Sequence, residues 1–191
     1  MKKLLFAGLA SLAVALPVAA ALQKGDAAPM FTAKASLAGK EFNYSLADAL
    51  KQGNVVVYFY PSAYTQGCNI QAHTFAENME QFNAAKATVI GVSLDSIERL
   101  NDFSADPNYC AGKLAVASDA DGSIAKSYQL MVREGRPGMQ DTRGVAIDHG
   151  FAERTTFIVT QDGKVAATIG GVSPEENVAQ ALQAVKDLAA N

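Results

Sequence analysis

The chain has 191 residues, 49% of them hydrophobic, with a formal net charge of −3, two cysteines and two histidines. That length and apolar share can fill one sizeable core, and a mildly acidic balance without a basic cluster argues against nucleic acid as a partner. So few cysteines and histidines, far apart in sequence, do not make a standard zinc ligand set, and neither a metal nor a cofactor is expected. In chain order, Lys2 and Lys3 precede an apolar stretch from Leu4 to about Leu16 and then Pro17-Val18-Ala19-Ala20-Ala21. This is the pattern of a secretory signal, too short for a transmembrane helix with its own flanks. Its removal predicts a periplasmic or secreted product, free of the membrane, with residues 22–191 forming a single domain. The other reading of the segment is an uncleaved anchor.

Gly39-Lys40 reads as a turn between two short strands, and Ser45 followed by Asp48 as the capped start of a short helix that stops by Gly53. Val55-Val56-Val57-Tyr58-Phe59-Tyr60 is a continuous apolar and aromatic run, the mark of a strand covered on both faces. Pro61 ends it. Ile70, Phe75, Met79 and Phe82 lie mostly three or four residues apart, so an amphipathic helix is expected from Cys68 to about Phe82. Thr88 to Leu94 is the next strand, and Asp95 with Glu98 suggests a capped helix whose Ile97, Leu100 and Phe103 point inward. Strand, helix, strand, helix in succession implies parallel pairing through right-handed crossovers.

Leu114 to Ala117 reads as a short strand, and Asp121-Gly122 as the turn into a helical stretch from Ser123 to Tyr128. Met131 to Ala152, with Gly135, Pro137, Gly138 and Gly144, suggests an irregular loop ending in an extended stretch. Thr155 to Thr160 and Lys164 to Ile169 flank Asp162-Gly163, a strong hairpin signal. Ser173-Pro174-Glu175-Glu176 supplies an N-cap, a proline at the first helical position and a glutamate at the third, opening a helix with Val178, Ala181, Leu182, Val185 and Leu188 on one face.

Cys68 stands out within this order, because a turn places its thiol at a helix start just beyond a buried strand. Unpaired backbone N–H groups and the positive end of the helix dipole favour an anion there. An ordinary free thiol is only a few per cent thiolate at neutral pH, so such a position raises the reactive fraction. Thr65, three residues earlier, adds a hydroxyl that can donate to the sulfur or to a bound oxygen. The plainer reading makes Cys68 a small buried hydrophobe or half of a structural disulfide.

Pro61-Ser62-Ala63-Tyr64-Thr65-Gln66-Gly67-Cys68 resembles the peroxiredoxin active-site pattern Pro-x-x-x-Thr-x-x-Cys. Tyr60-Pro61, Gly67-Cys68 and Gln71-Ala72 bring the likeness nearest to the bacterioferritin comigratory protein, or peroxiredoxin Q, type. Gly25-Asp26-Ala27-Ala28-Pro29-Met30-Phe31 and Glu153-Arg154-Thr155-Thr156-Phe157-Ile158-Val159 are similar to the start and to the late arginine-bearing strand of that family. The resemblance spans nearly the whole chain after the signal. It implies a thioredoxin-like α/β sandwich with a central mixed sheet flanked by helices. It also implies a thiol peroxidase acting on hydrogen peroxide or organic hydroperoxides, reset by a thiol reductant, and a monomer.

By that resemblance Cys68 attacks the peroxide, Thr65 hydrogen-bonds the reacting atoms, Pro61 limits solvent access, and Arg154 stabilises the thiolate and the leaving oxygen. Where many members of the type carry a resolving cysteine, five residues after the first, this chain has His73. Cys110 is therefore the intrachain candidate for resolving the sulfenic acid, its other readings being a buried spectator or an intermolecular partner, and bridging it to Cys68 should require the first turn of the Cys68 helix to unwind. His73 itself reads as a surface residue. Two other readings stay open on the sequence. One is an exported thioredoxin-like disulfide exchange protein, although Cys68-Asn69-Ile70-Gln71 lacks the second sulfur of Cys-x-x-Cys. The other is a noncatalytic binding domain stapled by a Cys68–Cys110 disulfide.

Overall fold

A seven-stranded mixed sheet forms the centre of the computed structural model, which describes residues 21–190. The secretory-signal reading thus lies, apart from Ala21, outside the described residues. Strands β1 (Thr32–Leu37) and β2 (Lys40–Ser45) form an antiparallel hairpin, followed by helix α1 (Leu46–Leu50). Then come β3 (Asn54–Phe59), α2 (Gln66–Ala84), β4 (Ala87–Ser93), α3 (Ile97–Ala105), β5 (Ala115–Ser118) and α4 (Ser123–Ser127). The chain closes with β6 (Val132–Arg133), β7 (Phe151–Ala152), β8 (Thr155–Val159), β9 (Val165–Gly170) and α5 (Pro174–Ala189). The strand order is β2-β1-β5-β4-β3-β8-β9, with β3–β4 and β4–β5 parallel and β3–β8 and β8–β9 antiparallel.

Strand β3 lies inside the sheet between β4 and β8, and its alternation explains the unbroken apolar run. Val56, Tyr58 and Tyr60 point into one core with residues of α2, α3 and α5, while Val55, Val57 and Phe59 point into a second core with Leu46, Leu50 and Tyr128. Each of the valine and phenylalanine side chains contributes roughly 1.5–3 kcal/mol by leaving water. Tyr58 stacks on Phe75 of α2 with ring centroids 4.5 Å apart, and its ring lies over Gly91, its partner in the β3–β4 register. A Cβ at Gly91 would come within 2.6 Å of that ring, so only glycine seats Tyr58 there.

The caps were legible with one exception. Ser45 and Ser173 accept from the N–H groups of Asp48 and Glu176 as expected. In α3 the cap is Ser96, whose hydroxyl oxygen accepts from Arg99 N–H, and not Asp95. Asp95 is fully buried and turned to other partners. The 131–152 segment is mostly irregular and ends in the extended β7, as expected, with pairing that the sequence did not show. It folds back on itself, with β6 paired antiparallel to β7 and a bridge between Gln140 and Ala146 inside the excursion. Strands two residues long carry no readable alternation, which is why the pattern hid them. Among the described residues no helix is long and apolar enough to cross a membrane.

Candidate active site

Beyond β3 the backbone turns through Pro61 to Tyr64, and Thr65 is the extended N-cap residue of α2. The helix begins two residues earlier than the pattern suggested, so Cys68 is its third residue, still in the first turn, and is only 2% exposed. The turn is held tightly. Tyr64 adopts φ 61°, a left-handed conformation rare for an aromatic residue, and so requires support from its surroundings. The Asp95 carboxylate accepts from Ala63 N–H at 2.8 Å and from the Ser62 hydroxyl at 2.9 Å. Arg99 donates to the Ala63 carbonyl at 2.8 Å, and both the N–H and the hydroxyl of Thr142 donate to the Tyr64 carbonyl. The Arg143 guanidinium lies over the Tyr64 ring, 3.2 Å from its centroid.

Arg154, immediately before β8, brings its Nη2 within 3.4 Å of Cys68 Sγ, 86 residues away in sequence. Its other terminal nitrogen donates to Gln71 Oε1. Gln71 is buried and lies three residues after Cys68, on the same face of α2. It donates in turn to Asn177 Oδ1 of α5 at 2.9 Å; the same oxygen accepts from Thr156 of β8 at 2.6 Å, and the Asn177 amide donates to Ile169 O of β9. Two helices and two strands thus converge to orient one guanidinium. Gly67 leaves room for it, because a Cβ there would lie 3.1 Å from Arg154 Nη2.

The remaining expected residues fall as follows. Thr65 donates its hydroxyl proton to the Ser62 carbonyl at 2.8 Å, so in this state its oxygen accepts and does not donate to the sulfur. Pro61 is half-buried at the strand end. His73 is on the surface, 3.3 Å from Glu77. Cys110 is fully buried in the turn between α3 and β5, and both thiols are free. Burial and the Asp106 carboxylate push the Cys110 thiol up from its ordinary value. Its neighbour Tyr109 packs edge-on against Tyr64 with centroids 5.6 Å apart, so the turn before Cys68 and the Cys110 turn share one aromatic wall.

Gln71, Asn177, Thr156, Asp95 and Thr142 escaped the sequence reading as site residues. Gln71 alone carried a signal, by its helical spacing from Cys68 and its place in the Gln71-Ala72 match. The others are contacts between distant segments, invisible to periodicity.

Comparison with known proteins agrees with this fold. Residues 24–168 match the family model described as AhpC/TSA family. Peroxiredoxin Bcp of Escherichia coli strain K12 is 31% identical over 144 residues, 75% of this chain and 83% of that protein. A bcp protein of Coxiella burnetii is 30% identical over 161 residues, 84% of this chain and 97% of the relative. Among solved structures, the peroxidoxin BcpB of Mycobacterium tuberculosis superposes with a TM-score of 0.73 at 24% identity, covering 87% of this chain and 98% of its own. The bacterioferritin comigratory protein of Xanthomonas campestris gives 0.64 at 25% identity, covering 82% and 91%. A thiol at a helix start facing an arginine from a distant strand, on this sheet and with these relatives, places the chain in the AhpC/TSA family as a thiol peroxidase of the Bcp-type peroxiredoxins.

Proposed function

We propose that the chain reduces hydroperoxides through Cys68 and completes its cycle through a transient disulfide with Cys110. The Cys68 thiolate attacks the nearer peroxide oxygen, the O–O bond breaks, and the departing oxygen takes a proton to leave as water or an alcohol. Arg154 faces the sulfur and meets the negative charge on the departing oxygen. Thr65, its own proton committed to Ser62, offers a lone pair to the hydroperoxide O–H. Pro61, half-buried at the end of β3, limits access of water to the turn. The observation that carries the reading is the 3.4 Å approach of Arg154 Nη2 to Cys68 Sγ, fixed by the Gln71–Asn177 relay. The Xanthomonas campestris relative, described as acting in alkyl peroxide reduction, supports organic hydroperoxides as substrates alongside hydrogen peroxide.

The Cys110 thiol then condenses with the Cys68 sulfenic acid, releasing water and forming a disulfide that a thioredoxin-like or small-thiol donor reduces. Support comes from the shared wall of Tyr64 and Tyr109 and from the buried cluster that holds Tyr58, Cys68 and Cys110 together. Burial and the raised Cys110 pKa mean that bridging requires opening of the first α2 turn or of the Cys110 turn. The Lys2-Lys3 and Leu4–Leu16 pattern supports an exported, periplasmic enzyme, and the Bcp likeness a monomer. One equivalent of peroxide added to the reduced chain, followed by mass spectrometry, tests the cycle. A Cys68–Cys110 disulfide is expected in the wild type and a trapped sulfenic acid in Cys110→Ser. A reduced Cys68 after peroxide treatment overturns the reading.

A further inference from the structure

Asp95 is the hub behind the catalytic turn. Its Oδ2 accepts from Ala63 N–H at 2.8 Å and from the Ser93 hydroxyl at 2.7 Å; its Oδ1 accepts from the Ser62 hydroxyl at 2.9 Å. Two cationic groups complete the shell on Oδ1, Arg99 Nε at 2.8 Å and His149 Nε2 at 2.8 Å. His149 belongs to the 131–152 excursion, and its Nδ1 lies 2.7 Å from the Gly150 carbonyl oxygen. A carboxylate and a carbonyl can only accept, so both ring nitrogens must donate for both bonds to exist. The geometry is that of an imidazolium.

Resting on the peroxidase reading of Cys68, we propose that protonated His149 is a positioning residue for catalysis: it fixes the Asp95 carboxylate that holds Ser62 and Ala63, and peroxide attack slows when it loses its proton. Loss of that proton removes the ring's donor to one of the two acceptors inside a largely dry site, with the His149 side chain only 12% exposed. Asp95 then keeps Arg99 as its sole cation, and Arg99 is already shared with the Ala63 carbonyl and Asp141. The turn that sets Thr65 and the start of α2 loses an anchor.

Every charged group around the ring favours or opposes the same proton. Burial lowers its affinity, the Asp95 hydrogen bond and charge and the Gly150 carbonyl outweigh burial, and Arg99 opposes them; the net direction is upward from an ordinary histidine. On its other side His149 borders a cavity of about 560 Å³ whose wall carries Lys126, Arg133 and Arg136 against Glu134 and Asp148. Those groups are reached by solvent and salt, and act more weakly than the buried carboxylate.

The test is the pH dependence of Cys68 oxidation, read by rapid quench and mass spectrometry in a single turnover, beside an NMR titration of the two histidines. The wild-type rate should rise as thiolate forms and then fall along an alkaline limb whose midpoint matches the His149 titration. His149→Gln should lower the rate about tenfold at the optimum and abolish that limb. His149→Arg keeps a permanent cation, and the adjoining cavity has room for its longer side chain; it should retain the rate and also abolish the limb. An alkaline limb that survives in either variant, or a wild-type rate that ignores the His149 titration, overturns the proposal while leaving Cys68 chemistry intact. A wild-type Cys68 that peroxide does not oxidise at any pH removes both this role and the peroxidase reading.

Discussion

Cys68 and Cys110 lie in the same buried cluster, at 2% and 0% exposure, yet their surroundings are opposite. Cys68 stands in the first turn of a nineteen-residue helix with a guanidinium 3.4 Å away, and four elements hold that guanidinium in place. Cys110 stands in a turn with apolar neighbours and the Asp106 carboxylate, which together disfavour its anion. Burial alone therefore says little about a thiol. What distinguishes them is which charge the fold delivers into the dry environment, because unscreened electrostatics count for more there than in water.

Breaking the comparison outright should have the largest effect. Cys68→Ser is expected to abolish peroxide consumption to the uncatalysed level in a steady-state assay with a dithiol donor, and residual turnover carried by Cys110 would contradict the division of labour. Removing the cation from the Cys68 side comes next. Arg154→Gln should lower the second-order rate constant by about 10²–10³, the cost of losing one preorganised group aimed at developing charge. Asn177→Ala, which frees Gln71 to turn away from Arg154, should move the rate in the same direction by a smaller factor.

On the other side, Cys110→Ser should leave the first turnover intact and slow dithiol-supported cycling about tenfold or more, with over-oxidised Cys68 accumulating in the mass spectrum. Equal steady-state rates for this variant and the wild type would make the enzyme a one-cysteine peroxidase. Gly91→Ala sharpens the contrast through Tyr58, which lies in the same buried cluster as both cysteines. Pushing the Tyr58 ring off its glycine seat should cost about 1–3 kcal/mol in denaturant unfolding.

The smallest effect concerns pH and stability. Burial pushes the Asp95 carboxyl up, but the His149 hydrogen bond and charge, Ser93 and the Ala63 N–H outweigh it and hold it below the usual carboxylate range. Its contribution is thus present above the unfolded value of about 3.9 and is lost as pH falls through the lower folded value. For His149, raised in the folded chain, the sign reverses: the contribution is full below about 6.5 and is lost as pH rises through the higher folded value. Thermal stability of the wild type should therefore peak between about pH 4 and 6.5 and flatten in His149→Gln, each kcal/mol corresponding to about 2–4 °C in Tm. An unchanged profile in that variant would show that the pair does not anchor the turn.

Local order along the chain was enough to place most of the fold. The run at Val55–Tyr60 reports a strand buried on both faces, Ser45 and Ser173 report their helix starts, and Asp162-Gly163 reports the hairpin whose Gly163 takes φ 76°. Periodicity, caps and turn residues are short-range physics, so a sequence carries them openly. The same holds for Cys68, because strand, turn and helix start are contiguous. Asp95 shows where local reading misleads: its spacing to Glu98 matches a cap, but Ser96 does that work and the carboxylate is drawn inward by Ala63, Ser62, Ser93 and His149.

The amino-acid sequence by itself determined the element order, the candidate nucleophile Cys68 and, through its resemblance, the late arginine. Only the tertiary structure decided that Arg154 reaches the sulfur, that Gln71 and Asn177 aim it, and that the 131–152 excursion braces the catalytic turn through Thr142, Arg143 and His149. The reason is geometric. These contacts join residues up to 106 positions apart, such as Gln71 and Asn177, and no local pattern encodes which distant side chains the folded sheet will bring within hydrogen-bond reach.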